Sequence, residues 1–310
     1  MKNYYRIMLG RGSVFAEEAY KGNFIAAGFI RDKDLTHNLP DNWRDFNKKF
    51  IPLFLEQNPG KSKIAAGLAC GMLWTVSKGI QVGDVILMPD GKGHYYTGEV
   101  TGNYEYHKEN ELQHRRSIRW LSKVIARDEM SEPLRNSTGS IATVSTISKY
   151  ANEIEAFLSG SRSVSIVSTD GTIEDPSAFA LEKHLEDFLI ENWSQTVLGQ
   201  YYDVYEEEGE IVGQQYQSDT GPIDILAVSK DKKEILVIEL KKGRASAVVV
   251  GQIQTYMGYV KEELLEKNQV VKGAIISLEG DDRLRNALRV TQNIDFYTYK
   301  ISFELEKNES

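Results

Sequence analysis

Two apolar runs, residues 223–228 and 235–240, flank the polar turn SKDKKE, and this pattern constrains the fold more than any other in the chain. Apolar runs of that length around a short polar turn predict an antiparallel hairpin. With the turn centred on Asp231-Lys232, position 228 faces 235, 226 faces 237 and 224 faces 239. Asp224 and Glu239 then become cross-strand neighbours on one face, with Cβ atoms about 5 Å apart. Lys241, two residues beyond Glu239, projects from the same face. A slip of one residue would send these side chains to opposite faces, so the arrangement depends on register.

The strand EILVIELKK is apolar on both faces, and such a strand is ordinarily covered on both sides. Two carboxylates side by side there repel each other and are poorly solvated. Mg²⁺ relieves the conflict, since it accepts carboxylate oxygens and keeps waters for a substrate phosphate; Mn²⁺ is expected to substitute. Lys241 would stand within reach of a metal-bound water or a scissile phosphate. The competing reading places Asp224 at a fraying strand end and Glu239 and Lys241 on a solvated edge, because D…ExK spacing also recurs by chance.

The segment PID-x14-ELK, continuing into KGRAS and GQIQTYMGYV, resembles the core of the PD-(D/E)XK nuclease superfamily, in particular its NucS-like branch. The resemblance covers residues 180–265. It implies Asp224 and Glu239 as metal ligands, Lys241 as the catalytic lysine, and Gln252 and Tyr256, one turn apart on a helix, lining the active centre. It also implies a Glu from the opening helix; Glu182 is the choice and Glu186 the alternative, against a solvated helix face for both. Arg244 is either a phosphate contact or a surface charge. The expected architecture is α/β in character, α+β overall, with a restriction-endonuclease-like α/β/α core in this half.

Around that core, ALEKHLEDFLIENW (180–193) predicts a helix with Leu181, Leu185, Phe188 and Leu189 on its apolar face. A helix is predicted over 247–267, strands over 271–279 and 294–305, and a further helix at RLRNALRVT. The stretch 159–179 is rich in Ser, Thr and Gly and ends in Asp-Pro. It divides the chain into residues 1–158, a linker at 159–178, and residues 179–310.

The first half mixes strands and helices. VGDVILMPDGKGHYYTGEVTG (82–102) reads as two strands around a Gly-containing turn, and 116–125 as another strand. Phe46, Phe50, Leu53 and Phe54 recur at helical spacing, and a second helix, 62–74, is rich in Ala and Gly. FIAAGFIRDKDL, IQVGDVILMPDGKGHYYTGEVTGNYEY, HRRSIRWL and LRNSTGS together resemble EVE/PUA-like domains of modification-dependent restriction endonucleases. That resemblance implies a β-barrel with helices whose pocket accepts one flipped, modified base. Reading such a base needs aromatic walls and hydrogen-bond donors. Phe29, Trp43, Trp74 and Tyr104 are the pocket candidates, with core packing as the other reading of each. Many relatives carry Trp where this chain has Phe29, so the composition of the cage departs from theirs. The run His114-Arg115-Arg116 either meets phosphates or forms a solvated loop.

Other chemistries are excluded. GKGHYYTG lacks the G-K-[ST] ending of a phosphate loop. The five histidines lack metal-ligand spacing, and no G-x-S-x-G occurs. A single Cys70 leaves no internal disulfide. No stretch approaches the roughly 20 apolar residues of a membrane helix, and MKNYYRIMLGRG is not a secretion signal, so the expected location is cytoplasmic. The net charge is −8, but unevenly spread: residues 1–160 hold 21 Lys and Arg against 18 Asp and Glu, and residues 161–310 hold 16 against 27. A basic first half that binds nucleic acid and an acidic half that cuts it would divide the labour so.

The sequence therefore predicts a Mg²⁺-dependent endodeoxyribonuclease, modification-dependent, acting on duplex DNA that carries a 5-substituted cytosine, and working as a homodimer to cut both strands. The alternatives are a structure- or mismatch-specific repair endonuclease and a non-catalytic reader of modified nucleic acid, RNA included.

Overall fold

A computed structural model describes residues 2–139, 142–160 and 185–300. The first half runs β1 (Tyr4–Ile7), α1 (Ala16–Gly22), β2 (Phe24–Ala27), α2 (Trp43–Gln57), α3 (Lys63–Trp74), β3 (Val85–Pro89), β4 (His94–Tyr106), β5 (His114–Ala126), α4 (Glu132–Thr138), β6 (Val144–Thr146) and α5 (Ala151–Ser159). Its strands form one sheet in the order β2-β5-β4-β3-β1-β6, antiparallel except for the parallel β1–β3 pair. Register shifts between Tyr96 and Gly98 and between Val100 and Tyr104 interrupt the long β4–β5 ladder. Such irregularities bend a strand and increase its twist, which curls the sheet.

Local chemistry explains the boundaries. Asp90 accepts the backbone N–H groups of Lys92 and His94, and Gly91 and Gly93 take positive φ, which closes the β3–β4 turn. The Asn42 side chain caps α2 by accepting from Asp45 N, and Ser62 caps α3 by accepting from Ala65 N. Phe46, Phe50 and Phe54 point into the core. The basic run of β5 is neither a phosphate contact nor a solvated loop. Arg116 is buried and donates to the carbonyls of Gly102 and Ile80, while Arg115 donates to Leu112 O and lies over the Phe24 ring at 3.7 Å. These cations satisfy backbone acceptors that no ladder reaches.

The second half runs α6 (residues 185–191), β7 (Tyr202–Val204), β8 (Glu206–Glu207), β9 (Glu210–Ile211), β10 (Gln214–Ser218), β11 (Gly221–Ser229), β12 (Glu234–Ala245), α7 (Val248–Tyr259), β13 (Val270–Gly280), α8 (Asp282–Leu288) and β14 (Ile294–Thr298). The main sheet is ordered β10-β11-β12-β13-β14, with β7 also on β11. β12, β13 and β14 are parallel, which requires crossovers; α7 and α8 supply them. One sheet face, with Leu226, Ile235, Val237 and Ile275, packs under α7, and the other, with Ile225, Ile238, Leu240 and Ile276, packs against Leu185, Leu189 and Ile190 of α6. The result is an α/β/α sandwich within a chain that is α+β overall.

Three expectations need correction or limit. Phe188 is 62% exposed, and Ile190 takes the place expected for it on the apolar side of α6. The helix expected to reach residue 267 ends in a π-helical turn, Val260–Leu264, because Leu265 is extended and Asn268, at φ 71°, turns the chain into β13. Leu181, most of the linker at 159–178 and the end of the strand expected over 294–305 lie outside the described residues.

The two halves share an apolar core. Phe46 and Leu73 of α2 and α3 belong to the same buried cluster as Tyr216, Tyr259 and Leu264. Gly67 makes room for Leu264, and Tyr216 Oη donates to Ile64 O at 2.8 Å. Arg44 pairs with Asp219 at 2.6 Å and Glu262 at 2.7 Å, Asn47 donates to Glu263, and Lys61 meets Glu207 and Glu208. Among the described residues no helix is long and apolar enough to cross a membrane.

Candidate active site

The β11–β12 turn sets the geometry. Lys232 takes φ 61°, Ser229 accepts from the N–H groups of Lys233 and Glu234, and Ser229 donates to Asp231. With the turn so held, Val228 pairs with Ile235 and Leu226 with Val237. Continued by two residues, that ladder sets Asp224 opposite Glu239. Asp224 Oδ2 accepts the Leu240 N–H at 2.7 Å, and Lys241 Nζ lies 3.2 Å from Glu239 Oε1. Glu239 is 2% exposed.

A third carboxylate joins the pair. Glu182 lies outside the described residues, whereas Glu186, one helical turn later, is 3% exposed and reaches the site from α6. Gln214 donates to Glu186 at 2.7 Å, and Gln215 donates to both Glu186 and Asp224, the latter at 3.3 Å. Gln215 stands in the left-handed region at φ 52°, a conformation costly for a residue other than Gly and held here by its two carboxylate partners. Sequence reasoning missed both glutamines. The only trace of them is the QQYQS run before the hairpin, which no periodicity distinguishes from an ordinary edge strand.

Burial, then the Glu239 and Glu186 carboxylates, push the Asp224 pKa well above the usual range; the Leu240 N–H and Lys241 oppose the shift without cancelling it. From α7, the buried Tyr256 faces the same carboxylates and interacts with Gln252; burial first, then Glu239 and Asp224, raise its pKa. Asp224, Glu239, Lys241, Gln252 and Tyr256 thus converge on one cleft of about 620 Å³. Arg244 follows a register break in β12, is exposed, and is not part of the cleft lining. Among the described residues no group of three His, Cys, Asp or Glu side chains is arranged to hold a metal ion. Asp224 and Glu239 are a carboxylate pair lining the cleft.

The aromatic candidates of the first half do not come together. Phe29 lines a second cavity of about 690 Å³ with Met8, Leu68 and Met72, and Glu207 and Glu210 of the other half close one side. Trp43 packs on Gly71 and Trp74, and Trp74 donates to Pro40 O at 3.2 Å. Tyr104 Oη accepts from Leu35 N and bonds His114 Nδ1 at 2.8 Å. Helix packing and loop tethering occupy these three rings.

Known proteins match the halves separately. Residues 182–308 match the Endonuclease NucS C-terminal domain. The second half is similar to that domain. Residues 5–148 match a domain of unknown function (DUF8426), so the EVE/PUA-like resemblance gains no support there. Endonuclease NucS of Methanocaldococcus jannaschii is 35% identical over 75 residues, 24% of this chain and 27% of that protein. The chain thus matches little more than a quarter of that relative's length. Among solved structures, a complex of EndoMS with double-stranded DNA is similar at a TM-score of 0.33 and 14% identity, over 71% of this chain and 66% of that one. A repair endonuclease from Pyrococcus abyssi is similar at a TM-score of 0.31 and 16% identity, over 68% and 66%.

Proposed function

We propose that this protein is a Mg²⁺-dependent endodeoxyribonuclease that hydrolyses phosphodiester bonds at Asp224, Glu239 and Lys241. One observation carries the reading: a carboxylate pair, Glu239 buried and Asp224 half-buried and too crowded to ionise easily, opens beside a lysine into a cleft large enough for a substrate. The donor set fits the metal, since Mg²⁺ is commonly held by one or two carboxylates plus substrate phosphate and water rather than by an all-protein cage. Bound between Asp224 and Glu239, it would supply a hydroxide at neutral pH and offset charge on the phosphate oxygens. Lys241 then orients and neutralises the scissile phosphate, and Glu186 and Gln215 hold Asp224 in place.

The substrate we propose is duplex DNA carrying a 5-substituted cytosine, tested in an extruded state in the Phe29 cavity of the first half. The size of that cavity and its aromatic wall support this reading. A structure- or mismatch-specific repair endonuclease is the second reading, favoured by the NucS-type second half and the relatives it matches. The intact Asp224, Glu239 and Lys241 set speaks against a non-cutting reader. We further propose a homodimer, since cutting two strands takes two centres.

The deciding experiment is cleavage with Mg²⁺ of matched duplexes carrying cytosine, 5-methylcytosine, 5-hydroxymethylcytosine or its glucosylated form. Cutting confined to one modified duplex supports the modification-dependent enzyme. Equal cutting of all, or cutting only of mismatched or branched DNA, supports the repair enzyme. No cutting of any DNA with Mg²⁺ or Mn²⁺ refutes the nuclease reading.

A further inference from the structure

The cleft in front of Asp224 has two walls of opposite character. One is the carboxylate-bearing wall of the NucS-type half, with Glu186, Asp187, Asp224 and Glu239. The other comes from the first half and carries Arg127, Lys149, Ser137, Ser145 and Ser148. A phosphodiester strand entering beside these carboxylates is repelled by them, and cations facing it from across the gap offset that repulsion where water is thin. The NucS-type half has Lys241 at this point, but Lys241 is already engaged with Glu239.

We infer that the first half supplies the phosphate-binding wall of the cutting cleft, with Arg127, Lys149 and Ser145 gripping the backbone of the strand to be cut. Arg127 is pre-positioned: it lies just after β5, is half-buried, and donates through Nη1 to Tyr95 Oη at 2.9 Å. Its other terminal nitrogen lies alongside Gly139, 3.1 Å from where a Cβ would stand, and Gly139 itself lines the cleft. A planar guanidinium so held presents a fixed fork to a phosphate. Lys149 is exposed on the turn before α5, where it adds a second charge over the Tyr150 ring at 5.2 Å. Ser145 is 7% exposed, lines the cleft from β6, and its hydroxyl has no hydrogen-bond partner among the described residues. A buried donor left unmade is costly unless a ligand completes it. The ligand class that satisfies a guanidinium, an ammonium and a hydroxyl together, opposite a carboxylate pair, is a nucleic-acid backbone. The charge imbalance of the chain agrees, since residues 161–310 carry 27 acidic against 16 basic residues.

The inference rests on the nuclease reading, and the test separates the two. Affinity of the full chain for a labelled DNA duplex is measured in EDTA across a salt series, and cleavage with Mg²⁺ is measured in parallel. Arg127→Gln combined with Lys149→Gln is expected to weaken binding about tenfold and to lower the slope of log affinity against log salt by about two, one for each phosphate no longer neutralised. Lys149→Gln alone, at an exposed position, should lower the slope by about one, and Lys149→Arg should restore it. Ser145→Ala should raise KM more than it lowers kcat. If the wild type neither binds nor cuts DNA, the nuclease reading fails and takes this inference with it. If the wild type cuts and the folded glutamine variants bind with unchanged affinity and salt slope, the nuclease reading stands and the inference is overturned.

Discussion

Leu240 donates its backbone N–H to Asp224 Oδ2 at 2.7 Å, so the carboxylate that crowds Glu239 is also tied to the strand carrying Glu239. The bond holds Asp224 in place independently of its charge. Asp224→Asn is therefore expected to fold and to keep that acceptor, while cleavage falls at least about a thousandfold. DNA affinity measured in EDTA should change little. Retained cleavage by the folded Asn variant would remove Asp224 from the centre.

Gln215 donates to Asp224 and to Glu186, which ties both residues to the position of the Asp224 carboxylate. Glu186→Gln and Gln215→Ala should each cost about 10- to 100-fold in kcat, the usual range for groups that orient a metal ligand. KM for DNA should move much less. The measurement is steady-state cleavage across a Mg²⁺ titration, where weakened metal dependence would mark the loss of orientation.

Gly71 gives a test of the helix pair behind the site. A Cβ there would overlap the Trp43 ring at Cζ2. Replacing a mid-helix Gly by Ala ordinarily stabilises by about 1 kcal/mol, but overpacking of this kind costs about 1–3 kcal/mol. Gly71→Ala should thus lower the urea midpoint, and a raised midpoint would show that α2 yields freely.

Glu263 lies at the junction of the halves. Burial pushes its pKa up to about 7, against the Asn47 hydrogen bond, with Asp219 adding repulsion and Arg44 attraction. A carboxyl with a raised folded-state pKa binds its proton more tightly in the native state. Stability therefore falls as pH rises from the ordinary carboxylate range, about 4.3, to about 7, and the full penalty persists above that. Glu263→Gln should raise Tm relative to wild type at pH 8 and leave it nearly unchanged at pH 4. Calorimetry at both pH values reads the difference directly.

Arg116 should behave as a structural cation. Arg116→Met leaves the Gly102 and Ile80 carbonyls without their donor. A loss of about 2–5 kcal/mol in stability is expected. The salt slope of DNA binding by the folded fraction should match that of the wild type, in contrast to Lys149→Gln.

Much of the second half is legible in the sequence because short-range chemistry dictates it. The polar turn sets the register, the two-residue strand period then places Asp224, Glu239 and Lys241 on one face, and helical spacing brings Gln252 and Tyr256 together. The opening helix is less legible. Its apolar stripe shows that a Glu can face the sheet, but choosing between Glu182 and Glu186 needs the distance from α6 to Asp224.

The first half shows the limit more sharply. Its strands and both long helices follow from patterns and caps, yet an aromatic residue reads alike whether it lines a cavity or fills a core. Trp43, Trp74 and Tyr104 are candidates by type, and only packing separates them from Phe29. The same holds for the basic run of β5, whose charges are consumed by carbonyls far away in sequence. By itself, the sequence determined the hairpin, its register and the carboxylate–lysine set, since those depend on neighbours a few residues apart. Only the tertiary structure decided that Gln214 and Gln215 join Glu186 at Asp224, and that Arg127, Ser145 and Lys149 line the same cleft. The glutamine contacts wait on the packing of α6 against its own sheet, and the shared cleft waits on the apolar core that joins the two halves.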